Sequence, residues 1–408
     1  MHLSPIMSRK RQMKVRNKVD TQWITAKMSE MIDINPKEKL SKGTYAKKIS
    51  MDKLQPFCRD VPEFEIAEFI GGTKFRNGDT IMARITPCLE NGKTAMVNIL
   101  EPDEVGFGST EFIVFRAKEG CMDPDFVYYL IKSPIVREPA IKSMVGSSGR
   151  QRVQTEVLQN LVIPFPSLSE QRKIGSLLKT LDDKIAINTK INNNLMQQAK
   201  MIFEAEIVNR TELPNGWEKS NLASIADYLN GLAMQNYRPT DDDQGFPVLK
   251  IKELRQGACD ADSERCSSYI KSNYIVNDGD VIFSWSGSLL VDFWCGGICG
   301  LNQHLFKVTS TQYAPWFFYS WTNYHLAKFA AIASAKATTM GHIKRSDIEA
   351  AEVVIPSSAD YERIGALIQP LYNLCISLRL ENRKLAATRD SLLPRLLSGD
   401  IDISETII

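Results

Sequence analysis

The sequence predicts an α+β fold in which two mixed, strand-rich globular blocks alternate with two long helices that pair antiparallel. Apolar residues recur every three or four positions over about 40 residues from Ser167, a spacing typical of an amphipathic helix. The same register returns 190 residues later, from Ser357. The openings of the blocks repeat as well, because the order Trp23, Met28 and Met31 returns as Trp217, Leu222 and Ile225. We therefore expect a pseudo-twofold internal repeat of a block followed by a helix.

Each long helix opens with the spacing of a capping box, in which a hydroxyl and a carboxylate three residues apart satisfy free backbone amides. The pairs are Ser167 with Glu170 and Ser357 with Asp360. A helix of about 35–40 residues would be roughly 50–60 Å long, which suits a coiled-coil spacer better than a globular core. Pro370 lies inside the second helix and predicts a kink or a local break.

The predicted helix–helix seam includes asparagine among apolar residues, and a buried asparagine lowers stability but sets the register of paired helices. Ordinary helical cores are the alternative, but they would not explain a repeated register. A second apolar line, formed by Ile187, Ile191, Ile376 and Leu380, either widens this seam or docks a partner. The seam residues are Ile174, Leu178, Leu181, Ile185, Asn188, Asn192 and Leu195 in the first helix, and Ile364, Ile368, Leu371, Cys375, Leu378, Asn382 and Leu385 in the second.

These patterns divide the chain into a basic N-terminal extension (1–22), a first block (23–165), a first long helix (166–210), a second block (211–356) and a second long helix with a tail (357–408). In both blocks a turn containing Gly-Asp precedes an apolar run that is typical of a strand. The predicted elements are turns at 76–79 and 276–280, strands at 80–86, 112–115, 281–286 and 305–308, and helices at 124–132 and 314–337.

Composition narrows the class of protein. The 408 residues carry a net charge of only +2, so a nucleic-acid site has to be a local patch. Eight cysteines without a C-x-x-C pair favour reduced thiols, and together with the lack of a long apolar run they predict a cytoplasmic protein. The basic residues between Arg9 and Lys18 suggest a solvated arm, with contact to DNA phosphate as the alternative.

Motifs of catalysis and metal binding are incomplete. Gly92-Lys93-Thr94 lacks the glycine that a phosphate-binding loop needs five positions before Gly92, where Pro87 stands. The chain has neither the adjacent prolines expected of an amino-group DNA methyltransferase nor a G-x-S-x-G elbow. Cys295, Cys299 and His304 have no second cysteine pair nearby, so a zinc site is not favoured. The sequence predicts no catalytic residues, no metal and no cofactor.

Both blocks carry polar and basic residues in glycine-containing loops, and such side chains read base edges and hold phosphates. Two of these loops end the blocks, at 146–152 and 336–345, and solvated turns are the alternative for both. The candidate DNA-binding residues are Arg84, Thr86, Glu90, Asn91, Lys93, Thr110, Glu111, Ser147, Arg150 and Arg152 in the first block, and Ser284, Ser286, Asn302, Gln303, His304, Thr338, Thr339, His342 and Lys344 in the second.

If the helices pair antiparallel, the blocks lie at opposite ends of a spacer. Such a molecule would read two half-sites with an unread gap between them, since one turn of B-DNA is about 34–36 Å. Because the blocks differ in sequence, we expect the two half-sites to differ and the target to be asymmetric.

From Trp23 onward the chain resembles the specificity subunit of type I restriction–modification systems. Residues 78–94 and 106–114 are similar to one type of target-recognition domain, and residues 248–254, 279–288 and 301–306 are similar to another. Residues 163–166, together with Glu170, Gln171 and Ile174, resemble the family's entry to its long helices. The extension before Trp23 has no counterpart in this pattern.

The resemblance implies a non-catalytic subunit that recognises double-stranded DNA. Its partners would be two modification subunits, which carry S-adenosylmethionine and methylate adenine, and restriction subunits, which use ATP and Mg²⁺. Two other hypotheses are an enzyme fused to such a domain, which the absent motifs disfavour, and a coiled-coil scaffold or DNA-binding regulator that acts without a methylase. A neighbouring gene for an adenine methyltransferase would separate the subunit from the regulator.

Overall fold

The structure, a computed structural model, describes residues 23–147, 149–335 and 341–403. The predicted basic extension 1–22 and the predicted contact residues Thr338 and Thr339 lie outside the described residues. Contacts group the described residues into two compact units, one within Met1–Asp182 and Thr388–Ile408 and the other within Asp183–Ala387. The boundary between the units falls inside both long helices, whereas the sequence places the domain boundaries at the ends of these helices.

The first block, which precedes a long helix, is built of strands and short helices. Its strands are β1 (Ile24–Lys27), β2 (Ile32–Ile34), β3 (Tyr45–Ile49), β4 (Glu65–Glu68), β5 (Thr73–Phe75), β6 (Thr80–Ala83), β7 (Thr94–Met96), β8 (Gly106–Gly108), β9 (Phe112–Ala117) and β10 (Val162–Phe165). Its helices are α1 (Met28–Met31), α2 (Pro124–Lys132), α3 (Pro134–Lys142) and α4 (Thr155–Gln159). The long helix α5 (Leu168–Phe203) continues as a π-helical turn over Glu204–Val208.

The second block is built in the same way. Its strands are β11 (Glu218–Asn221), β12 (Asp227–Asn230), β13 (Phe246–Leu249), β14 (Arg265–Cys266), β15 (Ile275–Val276), β16 (Val281–Ser284), β17 (Leu290–Phe293), β18 (Cys299–Leu301), β19 (Leu305–Thr309) and β20 (Glu352–Ile355). Its helices are α6 (Leu222–Ile225), α7 (Ile251–Gln256), α8 (Pro315–Ala335) and α9 (Arg345–Glu349), and α10 (Ser358–Leu397) is the second long helix.

Strand order is the same in the two blocks. The first block has four-stranded sheets of order β2-β9-β6-β7 and β4-β3-β8-β5, and the second has β12-β19-β16-β17 and β14-β13-β18-β15. Each strand of the second block thus takes the place of the strand numbered ten lower in the first. The parallel pair β3 with β8 also returns as β13 with β18. The predicted α+β class and the internal repeat are therefore confirmed.

Both predicted Gly-Asp turns are confirmed, and their aspartates explain why these turns are needed. The carboxylates of Asp79 and Asp280 each accept a hydrogen bond from the backbone N–H three residues earlier, at 2.8 and 2.7 Å. Asp79 pairs with Arg116 on β9, and Asp280 pairs with Lys307 on β19, both at 2.7 Å. The turn before β6 is therefore bonded to β9, and the turn before β16 is bonded to β19. These are the strands with which β6 and β16 pair.

Two predicted strands are longer than the observed ones. β6 ends at Ala83 and β16 at Ser284, although the apolar pattern continues to Thr86 and Ser286. Beyond these points the chain leaves its sheet and forms a bridge with the loop that ends the block. The apolar pattern reports burial, and it does not distinguish a sheet partner from a loop partner.

The first and last strands of each block pair with each other. β1 runs antiparallel to β10, and β11 runs antiparallel to β20. In the second block this brings Glu218 opposite Ile355. A block therefore leaves and returns to the helical part of the chain at one place, which makes it a closed insertion.

In each block one helix, α2 or α8, is joined to a long helix by a buried hydrogen bond. Helix α2 has the predicted bounds, and the hydroxyl of Tyr129 on it donates to Asp182 on α5 at 2.7 Å. Asp182 also forms a buried ion pair with Arg389 on α10. In the second block the corresponding contact is neutral, because it joins the hydroxyl groups of Ser320 on α8 and Tyr372 on α10 at 3.0 Å.

Both long helices begin as the sequence predicts. The backbone N–H of Glu170 donates to the Ser167 hydroxyl, and that of Asp360 donates to the Ser357 hydroxyl, each at 3.3 Å. Of the kink or local break predicted at Pro370, the break is wrong, because α10 continues through this residue for all of its 40 residues, and the kink stays a prediction. No helix in the described part of the chain carries an apolar stretch long enough to cross a membrane.

Within the second unit, α5 and α10 lie side by side and run antiparallel. The Asn188 amide donates to Asn382 at 2.9 Å, and Arg363 pairs with Glu206 at 2.9 Å, so positions rise along one helix as they fall along the other. Asn188, which belongs to the predicted seam set, is completely buried. Of that set, Ile174, Leu178, Asn192, Ile364, Ile368 and Cys375 are buried, while Leu181, Ile185, Leu195, Leu371, Leu378, Asn382 and Leu385 are half-buried.

Replacing Asn188 with leucine should lower the free energy of unfolding by about 1–3 kcal/mol, because Asn382 then loses its amide partner at the seam. The double variant Asn188→Leu/Asn382→Leu should recover most of this loss. Urea unfolding of the four proteins of this double-mutant cycle measures the coupling. Equal and additive losses would show that the two amides do not interact.

Candidate nucleic-acid interface

Three separate segments of the first block meet where β6 ends. The backbone N–H of Arg84 donates to the Glu111 carbonyl just before β9, at 2.9 Å. The block-ending loop closes over the same place, because the N–H of Val153 donates to the Arg84 carbonyl at 2.9 Å. The N–H of Thr86 also donates to the Gln151 carbonyl, at 3.1 Å. Residues that are far apart in sequence are thus brought together by backbone hydrogen bonds.

A bidentate ion pair occupies this meeting point. The Arg152 guanidinium donates to both carboxylate oxygens of Glu111, at 2.7 and 3.0 Å. The side chain of Arg152 remains 46% exposed and that of Glu111 24% exposed. Hydrogen bonding from Arg152 lowers the pKa of the Glu111 carboxyl, and the charge of Arg84 adds to this effect. Glu111 is therefore an ionised acceptor at an accessible surface.

An open cavity of about 470 Å³ lies beside this pair. Lys37, Lys74, Arg84 and Thr110 are among the residues that line it. The Lys74 amino group donates to the Glu38 carbonyl at 3.0 Å, so this cation is held at the wall of the cavity. Lys37 and Lys74 extend the predicted set of basic residues, because Arg84 and Thr110 are the residues of this wall that the predicted set contains.

The other candidate residues of the first block have different surroundings. Glu90 and Asn91 are exposed in the loop between β6 and β7. The Lys93 amino group donates to the Met51 carbonyl at 2.8 Å, so this side chain is held against the protein. Ser147 and Arg150 are exposed in the block-ending loop, where the Arg150 N–H donates to the Ser147 carbonyl at 3.0 Å.

The second block has the same backbone arrangement with different side chains. The N–H of Ile343 donates to the Trp285 carbonyl at 3.1 Å, as that of Val153 does to Arg84. The N–H of Gly287 donates to Gly341 at 3.0 Å, as that of Thr86 does to Gln151. Through these bonds, residues 341–343 close over the end of the strand.

Side chains at these positions in the second block are aromatic. Trp285 takes the place of Arg84, and its ring centre lies 6.0 Å from that of His304 and 6.2 Å from that of His342. Its indole N–H donates to Asn230 at 2.9 Å, which sets the orientation of the ring. The Ser286 hydroxyl lies 3.2 Å from Nδ1 of His304. Both histidines are exposed, so the surface offers an aromatic plane with two imidazoles.

The candidate residues predicted from the sequence include Ser286, His304 and His342 but neither Trp285 nor Asn230. A tryptophan between two serines, before a glycine, is the signal that marks Trp285, because a large aromatic residue is unusual in such a loop. Asn230 carries no comparable signal, since its role depends on a contact with a residue 55 positions away.

Four further candidates of the second block lie around this aromatic set. Ser284 is buried and donates to the Ser288 carbonyl at 3.0 Å, so it supports the loop. Asn302 is also buried, and its amide oxygen accepts the backbone N–H of His304 at 3.2 Å. Gln303 is half-buried, and Lys344 is exposed at the start of α9.

Within the described ranges 23–147, 149–335 and 341–403, no three His, Cys, Asp or Glu side chains form a group that could hold a metal ion. Cys295 and Cys299 are buried, and burial raises the pKa of the Cys295 thiol to about 11. The Cys295 thiol contacts the Phe293 carbonyl at 3.7 Å. All eight cysteines are free thiols.

Comparison with known protein families finds the type I restriction modification DNA specificity domain twice along the chain. The matches cover residues 21–197 and 214–387. Each match therefore spans one block together with part of the long helix that follows it. The two matches agree with the internal repeat found in the sequence and in the strand order.

Individual proteins agree with this family match. The chain is 27% identical over 315 residues to the type I restriction enzyme MjaIX specificity subunit of Methanocaldococcus jannaschii, covering 71% of each protein. It is 20% identical to the HindI specificity subunit of Haemophilus influenzae, covering 80% of this chain and 87% of that one. The crystal structure of a type I restriction–modification S subunit from M. genitalium has the same fold, with a TM-score of 0.55, 14% identity and coverage of 94% and 97%.

Proposed function

The chain belongs to the family of type I restriction modification DNA specificity domains, and we propose that it recognises a bipartite, asymmetric DNA target for a type I restriction–modification complex. It is a non-catalytic recognition subunit. Each block reads one half-site, and chemistry on the DNA is carried out by partner subunits.

One observation carries this proposal: the two blocks present different side chains at equivalent backbone positions. In the first block these are Arg84, Glu111 and Arg152, which offer charged donors and acceptors for base edges and phosphates. In the second block Trp285 with its two histidines offers stacking and apolar contact instead. Two unlike surfaces on one repeated scaffold are expected to select two unlike sequences.

Two modification subunits are the proposed direct partners, and they would hold S-adenosylmethionine and methylate adenine within the target. Restriction subunits, with ATP and Mg²⁺, would join the same complex. The long helices offer apolar surface for docking, because Ile187 and Ile191 on α5 are 53% and 38% exposed. Leu367 and Leu374 on α10 are 47% and 45% exposed. Such side chains favour contact with a partner chain over contact with water.

The assignment is tested by methylome sequencing of a strain that carries this gene together with its neighbouring methyltransferase gene. We expect one methylated motif of two different half-sites separated by a fixed unread gap. Co-purification should yield two modification subunits for each copy of this chain. A strain whose methylome does not change when this gene is deleted would overturn the proposal.

Replacing Arg84 with alanine should weaken binding to the target by about 1–3 kcal/mol and relax the first half-site only, because Arg84 lines the cavity at the reading surface of the first block. Lys118→Ala is the matched control. It removes the same charge just beyond the opposite end of β9, where Lys118 donates to the Ser29 carbonyl. Binding to duplexes altered in one half-site at a time gives the readout, and equal relaxation of both halves would contradict independent blocks.

A further inference from the structure

Glu111 places a negative charge in the basic reading surface of the first block. Its carboxylate accepts two hydrogen bonds from Arg152, and the guanidinium of Arg84 lies close enough to lower its pKa further. Lys37 and Lys74 line the adjoining cavity. The surrounding groups thus attract phosphate, whereas Glu111 repels it.

A carboxylate in such a surface weakens binding to any DNA unless it gains a partner there. In the major groove the donors available to a carboxylate are the exocyclic amino groups, N4 of cytosine and N6 of adenine. Guanine O6 and N7 and thymine O4 are acceptors, so they would face Glu111 with repulsion. Glu111 therefore has the chemistry to discriminate between bases, which a lysine or arginine contact to phosphate lacks.

The pair with Arg152 adds a second consequence. Arg152 belongs to the block-ending loop and Glu111 to the segment before β9, so the pair joins two segments that are 41 residues apart. While N–H groups of the Arg152 guanidinium donate to Glu111, fewer of them can bind a phosphate. A base that donates to the Glu111 carboxylate frees some of these N–H groups for a phosphate. Recognition of the base is thereby coupled to the contact with the DNA backbone.

We propose that Glu111 is a specificity-determining residue of the first half-site, which accepts a hydrogen bond from an exocyclic amino group of cytosine or adenine and restrains Arg152 until that base is present. This inference rests on the proposed function. In the second block the equivalent position is His304, next to the Ser286 hydroxyl. The second half-site therefore lacks this carboxylate restraint.

The test measures binding of the full-length chain, in complex with its modification subunits, to two duplexes. One carries the motif found by methylome sequencing, and the other has a scrambled first half-site. Glu111→Ala should bind the scrambled duplex more tightly than wild type, and discrimination between the duplexes should fall by about fivefold or more. Arg152→Ala should weaken binding to both duplexes. Glu119→Ala removes an exposed carboxylate just beyond the other end of β9 and should change neither value.

A merely structural role for the ion pair predicts a different pattern. Glu111→Ala and Arg152→Ala would then weaken binding alike and lower the melting temperature alike, and this result would overturn the proposal. Unchanged discrimination in a folded Glu111→Ala protein would overturn it as well. If wild type itself fails to distinguish the two duplexes, the proposed function has failed, which is a separate outcome.

The same duplexes identify the base. Each cytosine or adenine of the first half-site is replaced in turn, and wild type should lose affinity at the position that contacts Glu111. Glu111→Ala should lose nothing further at that position, while it keeps the wild-type loss at all others. Losses that add at every position would show that Glu111 contacts no base.

Discussion

Asp182→Ala is expected to lower the free energy of unfolding of the first unit by up to about 3 kcal/mol, because it removes one partner of a buried ion pair and leaves Arg389 only its more exposed partner Asp390. Asp182 and Arg389 are both less than a tenth exposed. The variant also removes the acceptor of the Tyr129 hydroxyl, which is buried on α2. One carboxylate therefore joins the first block to both long helices, and its loss affects all three elements.

Tyr372→Phe supplies the matched control in the second unit. It removes the hydrogen bond to Ser320 at the corresponding place without changing any charge, so a loss of about 1 kcal/mol is expected. Chemical denaturation, followed by a probe specific to each unit, measures both variants. If the two losses were equal, the charge at Asp182 would contribute no more than a neutral hydrogen bond.

Exchange of residues 217–355 for the same block of another specificity subunit should replace the second half-site of the methylated motif and leave the first unchanged. The structure favours these limits because β11, near the start of the exchanged segment, pairs with β20 at its end. The cut therefore falls where the block leaves and returns to the helical part of the chain. Methylome sequencing of the chimaera gives the result directly.

The exchanged block has to keep its attachments to α10. Arg379 pairs with Asp292 at 2.7 Å, and Arg383 pairs with Asp278 at 2.8 Å, so both aspartates should be retained or restored in the chimaera. The reciprocal exchange of residues 23–165 is the control and should replace the first half-site alone. An unchanged motif in a folded chimaera would refute the assignment of one half-site to each block.

Features that depend on neighbouring residues could be predicted from the sequence. The capping boxes at Ser167 and Ser357 were recognisable because both partners lie within four residues, and α2 was predicted with its observed bounds for the same reason. The internal repeat was recognisable because similar residues return at a nearly constant offset. The Gly-Asp turns were recognisable because glycine adopts positive φ and the short aspartate side chain bonds to nearby backbone amides, a combination typical of turns.

Contacts between distant residues were decided only by the tertiary structure. Asn382 bonds to Asn188, although the repeat aligns it with Asn192, because pairing of antiparallel helices depends on their relative position and not on their common register. The ends of β6 and β16 are set by the block-ending loops. The aromatic set around Trp285 likewise exists only because three segments fold together. A local pattern records which face of an element is buried, but the partner on that face is chosen by the free energy of the whole packed chain.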